Sequence, residues 1–172
     1  MGIYIGIIII FIIIIFIITK NNKIIKLKNK VKQAESTIDV YLKQRFDLIP
    51  NLVECVKAYM QYEQETLQTI VKQRNEYIQK NINDWHEAAK LNSECNNIII
   101  KAEQYPELKS SEQFLNLQKQ LAKTENELQA ARRFYNSNVT VYNTEIKTFP
   151  NNMVAGIFGH KEAELFEFEQ NN

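Results

Sequence analysis

Hydrophobic and polar positions change their spacing several times along this chain. Residues 1–18, MGIYIGIIIIFIIIIFII, carry no charge. Eighteen apolar positions lie near the lower end of the about 17–25 that cross a bilayer as a helix, and Thr19, Ile24 and Ile25 can extend the embedded part. From Ile24 onward apolar residues alternate by three and four: Ile24, Leu27, Val31, Ala34, Ile38, Tyr41, Arg45, Leu48. That alternation is the seam of a packed helix. The next positions, Leu52, Val56 and Met60, step by four, as in a stutter, before Glu63, Leu67, Ile70, Arg74 and Tyr77 resume the pattern. Pro50 falls inside the shift. It has no N–H for the Phe46 carbonyl, and its ring crowds that turn. No glycine or polar loop flanks it. The pattern therefore predicts one very long helix to about Lys80, kinked near Pro50, with two helices broken there as the alternative.

The stretch KNINDW is the first turn signal, with Asp84 as a helix N-cap. A helix is expected from about Trp85 to Gln104, with Ala88, Leu91, Cys95, Ile98, Ile99 and Ala102 among its apolar positions. YPELKSSEQF is a second junction, where Pro106 stops one helix and Ser110 or Ser111 caps the next. The third long helix is expected from about Ser111 to Lys147. Its seam is Phe114, Leu117, Leu121, Glu125, Leu128, Arg132, Tyr135, Val139, Tyr142 and Ile146. TFPNN ends it, an amphipathic piece from Val154 to Phe166 packs back, and EFEQNN frays.

Composition supports helices, since 4 glycines and 3 prolines are too few for many short strands. The net charge of +1 conceals an asymmetry. Six of the 21 basic residues, Lys20, Lys23, Lys26, Lys28, Lys30 and Lys32, precede the first acid, Glu35. The rest holds 15 bases against all 20 acids, a net of −5, which disfavours nucleic-acid binding. Basic residues after the apolar run, and no small-residue cleavage site, favour an uncleaved anchor over a signal peptide. Positive flanks stay cytoplasmic, so the N-terminus is expected outside and the body inside. The six lysines can also hold anionic headgroups, at about 1 kcal/mol each.

Charged residues occupy seam positions that normally hold apolar ones: Arg45, Glu63, Arg74, Glu125 and Arg132. Tyr135-Asn136 recurs as Tyr142-Asn143, seven residues on and so on the same helical face. A buried charge or amide needs partners. These groups either pair across the bundle and fix its register, or line a hydrated pocket for a small ligand or peptide, or lie at the surface through a shifted register. Arg45, Asp47 and Asn51 are expected to plug the Pro50 defect by bonding freed carbonyls.

These segments carry a resemblance. IDVYLKQRFDLIPNLVECVKAY, then AEQYPELKSSEQFLNLQKQLAKTENELQAARRFYNSNVTVYNTEIKTFP, are similar to the LemA family of bacterial membrane proteins. The matching motifs are R-x-D-L-I-P-N-L (Arg45, Asp47, Leu48, Pro50, Asn51, Leu52), Y-P-x-L (Tyr105, Pro106, Leu108) and A-R-R-x-Y-N with Y-N. Phe114, Leu117, Gln118, Leu121, Glu125, Arg132, Tyr135, Asn136, Tyr142, Asn143 and Pro150 belong to the same pattern. Residues 79–92 match no motif. The resemblance implies a single-pass membrane protein with an antiparallel helical bundle, and neither a reaction nor a cofactor.

Little other chemistry is visible. His86 and His160 lack the glutamate three residues earlier that a di-iron bundle requires. Cys55 and Cys95 form no disulfide framework or zinc pattern and read as small buried apolar residues. No phosphate loop or nucleophile motif is present. The expectation is an all-α chain: a transmembrane helix continuing into an antiparallel LemA-like bundle of three long helices plus a short C-terminal one. The anchor is 1–19, the basic segment 20–32, the bundle 33–166 and the tail 167–172. The expected role is a non-enzymatic scaffold or interaction protein in the bacterial cell membrane. Membrane lipid and a protein are its expected partners, with no cofactor and no metal; the alternative is a tethered sensor with its ligand in the polar seam.

Overall fold

In a computed structural model of the chain, residues 2–60, 64–79 and 85–166 are described. Every regular element among them is a helix: α1 Gly2–Phe46, α2 Ile49–Val56, α3 Gln64–Gln79, α4 Trp85–Ala102, α5 Pro106–Lys109, α6 Glu112–Lys147 and α7 Asn151–Ile157. The chain folds as two compact units. A terminal unit comprises residues 2–37 and 131–166, and a central unit residues 38–130. Both α1 and α6 contribute residues to each.

In the terminal unit, the first turns of α1 touch no other element. Ile7, Phe11 and Ile12 are 59%, 63% and 59% exposed, and the whole apolar window has none of its length buried. Residues 2–18 rise about 26 Å at 1.5 Å each, close to the hydrocarbon thickness of a bilayer. No break separates this stretch from the packed part of the same helix, where Ile24, Val31 and Ala34 are buried. Tyr135, Val139, Tyr142 and Ile146 of α6 and Val154 and Ala155 of α7 are buried in the same unit. Lys23 Nζ meets Glu145 at 2.8 Å, and Glu35 lies near enough to Tyr135 to influence its titration, so α1 and α6 run antiparallel here.

After α7 the chain closes a Schellman turn. His160 N–H donates to the Ala155 carbonyl at 2.9 Å and Gly159 N–H to the Gly156 carbonyl at 3.3 Å. The turn needs a positive φ, and Gly159 supplies 66°. Beyond it, residues 161–166 leave helical structure and lie along α6. The Val154–Phe166 piece thus packs back as expected, with its second half as a non-helical strap. The expected fraying of 167–172 falls outside the described residues.

In the central unit, α1 ends at Phe46 and α2 begins at Ile49 with Pro50 in its first turn. Of the two expected alternatives at Pro50, the helix is interrupted. The interruption is only Asp47 and Leu48 wide, and Leu48 keeps helical dihedrals of φ −84° and ψ −15°. The reading of one helix to about Lys80 is corrected. Arg74 Nε reaches the Phe46 carbonyl at 3.2 Å, and Tyr77 packs edge-on against the Phe46 ring with centroids 5.1 Å apart. A continuous helix would hold residues 46 and 74 about 42 Å apart. The chain therefore reverses between α2 and α3. The reversal contains no glycine or proline. It starts in a turn where Tyr59 and Met60 N–H both donate to the Val56 carbonyl, at 3.0 and 2.9 Å. Met60 leaves this turn fully buried, so apolar packing rather than turn chemistry directs the chain.

α4 buries Ala88, Leu91, Cys95, Ile98 and Ala102, as its periodicity predicts. The expected turn at 80–84 lies outside the described residues. The second junction holds a helical turn, α5, which the sequence reading did not contain. Tyr105 is extended ahead of Pro106, as residues before proline are, and Leu108 is fully buried. Ser111 then caps α6, accepting from Phe114 N–H at a long 3.5 Å.

Met60→Ala should destabilise the detergent-solubilised chain by about 2–5 kcal/mol, as buried methionine truncations do. Met153→Ala, at a 61% exposed site, should stay within about 0.5 kcal/mol. Denaturant unfolding followed by circular dichroism measures both, and equal effects would contradict the reversal at Met60.

Candidate functional site

Polar residues that the periodicity places on helix seams form two separate clusters. The central unit holds the first. The Arg45 guanidinium enters from α1 with only 2% of the residue exposed. It donates to the Leu121 carbonyl at 2.6 Å and to Asn96 Oδ1 at 2.7 Å, and lies 3.5 Å from Glu125 Oε2. Glu125 also accepts from Asn92 Nδ2 at 3.4 Å and from Gln129 Nε2 at 3.2 Å. Three helices, α1, α4 and α6, thus share one charge pair held within side-chain amides. Its Coulomb energy must offset desolvation, so the accompanying hydrogen bonds are what make burial of Arg45 tolerable.

Cys95 sits beside this pair, 1% exposed. Burial pushes its thiol up to about 11; Arg45 opposes the shift and Glu125 reinforces it. A thiol so protonated and enclosed is a poor nucleophile. Cys55 is partly exposed, and burial raises its thiol as well.

The Pro50 defect is plugged by Arg74, which was not expected there, and of the expected trio only Asp47 takes part. Arg74 from α3 donates through Nε to the Phe46 carbonyl, which Pro50 cannot serve, and through a terminal nitrogen to Asp47. Arg45 points instead at Leu121, and Asn51 lies exposed. The plug comes from a residue 28 positions away because the chain reversal brings α3 back to this point. Glu63 lies outside the described residues, as does the side chain of His86.

The terminal unit holds the second cluster. Four α6 side chains grip the backbone of the strap. Asn143 donates from Nδ2 to the Ala163 carbonyl at 2.8 Å and accepts from Ala163 N–H at 2.9 Å. Asn136 does the same to Phe166, at 3.0 and 2.8 Å. Tyr142 donates to the Lys161 carbonyl at 2.9 Å, and Tyr135 to the Glu164 carbonyl at 3.0 Å. Burial raises both phenols, Tyr135 to about 12 with added repulsion from Glu35 and Glu164, so they remain protonated donors. The Arg132 guanidinium lies 5.0 Å from the centroid of the Phe166 ring. Arg132, Tyr135, Asn136, Tyr142 and Asn143 thus converge on a single segment.

At the start of the strap, His160 Nε2 lies 2.9 Å from Asn21 Oδ1, and desolvation, with Lys28 adding, lowers its titration. Of the juxtamembrane lysines, Lys23, Lys26, Lys28, Lys30 and Lys32 are exposed; Lys20 is half-buried, its ammonium 5.4 Å from the Phe16 ring centroid. Among the described residues no three His, Cys, Asp or Glu side chains are grouped to hold a metal ion.

Comparison with known proteins adds to this geometry. The model of the LemA family matches residues 34–172, more than three quarters of the chain. The chain belongs to the LemA family. Protein LemA of Metamycoplasma hominis is 29% identical over 140 residues, which cover 79% of this chain and 64% of that relative. The chain thus spans just under two thirds of that relative's length. Magnetosome proteins MamQ 1 and MamQ 2 of Paramagnetospirillum magneticum are each 33% identical over 70 residues, 41% of this chain and 26% of theirs. Both polar clusters of this LemA-family chain lie inside the family match.

Sequence reasoning missed Asn92, Asn96 and Gln129, the amides that make the Arg45–Glu125 pair viable. Each sits one step beside an apolar seam position (Leu91, Cys95, Leu128), where a polar residue reads as solvent-facing.

Arg45→Met removes two charge-assisted hydrogen bonds in a closed site and should cost at least about 1.5–3 kcal/mol, read as a lowered denaturation midpoint. Under native conditions at pH 8, a maleimide should label Cys55 and spare Cys95, with both labelled after unfolding; mass spectrometry counts the adducts. Native labelling of Cys95 would show the cluster to be open.

Proposed function

We propose that this LemA-family chain is a single-pass protein of the bacterial cell membrane whose helical body serves as a non-enzymatic interaction platform on the cytoplasmic side. The observation that carries the reading is α1. One uninterrupted helix joins a fully exposed apolar stretch of bilayer length to residues packed in the bundle core. A cleavable leader would not share a helix with core positions Ile24, Val31 and Ala34. Lipid supplies the solvent that Ile3 to Ile18 lack in water. The exposed lysines from 23 to 32 set the orientation, and those nearest the apolar run lie closest to the headgroups. The interaction role draws on the chemistry within the body: Cys95 has a suppressed thiolate, and Arg45, Arg74 and Glu125 are engaged with neighbouring protein groups.

The test is membrane extraction with a topology reporter. The full chain should remain in the membrane pellet through alkaline carbonate, and Ile8→Arg/Ile12→Arg should shift it to the soluble fraction. Alkaline phosphatase fused after Asn172 should be inactive while a green fluorescent protein at the same position fluoresces. The reverse pattern would overturn the orientation, and carbonate release of the unaltered chain would overturn the anchor.

A further inference from the structure

The strap is bound mainly through its backbone, with side-chain contacts at Glu162 and Phe166. Six hydrogen bonds from α6 side chains end on strap backbone N–H or carbonyl groups, and one exposed side-chain ion pair, Lys147 Nζ to Glu162 at 2.8 Å, accompanies them. Lys161, Glu162, Glu164 and Leu165 are exposed, Ala163 is half-buried, and Phe166 alone is enclosed, at 6%. The two halves of the grip repeat by seven residues on α6 (135 to 142, 136 to 143) and by three along the strap (164 to 161, 166 to 163). Seven helical residues rise about 10.5 Å. Three extended residues cover about 10 Å. The helix therefore presents amides at the pitch of an extended peptide running antiparallel to it. Backbone bonds supply affinity and one aromatic pocket supplies selectivity, the division seen when proteins bind extended peptides.

We propose that this face of α6 is a peptide-binding site, occupied in cis by residues 161–166. It takes an extended segment of a partner protein with a small residue at the Ala163 position and an aromatic one three residues later, at the Phe166 position under Arg132. The proposal rests on the interaction-protein reading and names the chemistry of the partner. The strap itself is the seated example of that chemistry. Recognition through peptide groups does not distinguish a segment of this chain from a foreign one. Tethering through Gly159 gives the strap an effective concentration of order millimolar, so a partner segment competes when it is held nearby or when the strap is weakened.

The probe is a fluorescein-labelled HKEAELFE peptide, copied from residues 160–167, and its copy N-methylated at the alanine and phenylalanine nitrogens. The receptor is the full chain in nanodiscs carrying Ala163→Pro/Phe166→Pro, which removes both strap N–H donors and leaves every α6 side chain in place. Saturable binding is expected by anisotropy. N-methylation should weaken it at least tenfold, as should adding Asn136→Ala/Asn143→Ala, with helical content checked by circular dichroism in each variant. In the unaltered chain, millimolar peptide should speed hydrogen exchange across 161–166 and the N-methylated peptide should not. Equal binding of the two peptides, or no binding together with unchanged exchange in the unaltered chain, would overturn the proposal. Peptide binding by a chain that carbonate releases would leave this site standing and remove only the anchor.

Discussion

A peptide group taken out of water must keep its hydrogen bonds, and much of this protein's unusual polarity answers that demand. A regular helix satisfies its own backbone. Here the backbone departs from regularity at Pro50, where a carbonyl loses its donor, and along 161–166, where an extended segment has no strand beside it. Side chains supply the missing partners at both: Arg74 at Phe46, and Asn136, Asn143, Tyr135 and Tyr142 along the strap. Arg45 also donates to main chain, at the Leu121 carbonyl within the regular turns of α6. Arg45, Arg74, Tyr135, Asn136, Tyr142 and Asn143 thus all act as donors to main chain.

This explains why arginine and asparagine hold these positions. Guanidinium offers several donors in a fixed fork and stays charged when buried, so Arg45 and Arg74 can each serve a carbonyl and a second acceptor together. Asparagine presents a donor and an acceptor in the geometry of a peptide group, so Asn136 and Asn143 each close a two-bond ring with one strap residue. Aspartate would lack the donor. The seven-residue repeat of Tyr-Asn, legible in the sequence, thus has a metrical meaning that only the extended strap reveals.

The helices were largely legible. Ends near Trp85, Glu112 and Lys147, the seams of α4 and α6, and the apolar start of α1 follow from spacing alone. The reversal after Val56 was not, because it lacks glycine and proline and is directed by burial of Met60. The polar seam residues were identified as needing partners, yet the partners stayed hidden. Arg74 answers Phe46 across 28 residues and Arg45 answers Leu121 across 76, and no local pattern encodes such a distance.

By itself the sequence determined the class of this protein: an apolar lead of membrane length, a basic collar, helices of given phase, and polar groups that could not be buried alone. Those properties are local, set by the period of the helix and the cost of desolvating charge. Tertiary structure decided which carbonyl each donor serves and that residues 161–166 are an extended strap, since hydrogen-bond pairing depends on where distant turns bring the chain back. Family membership matches the first set of properties; the candidate site belongs to the second.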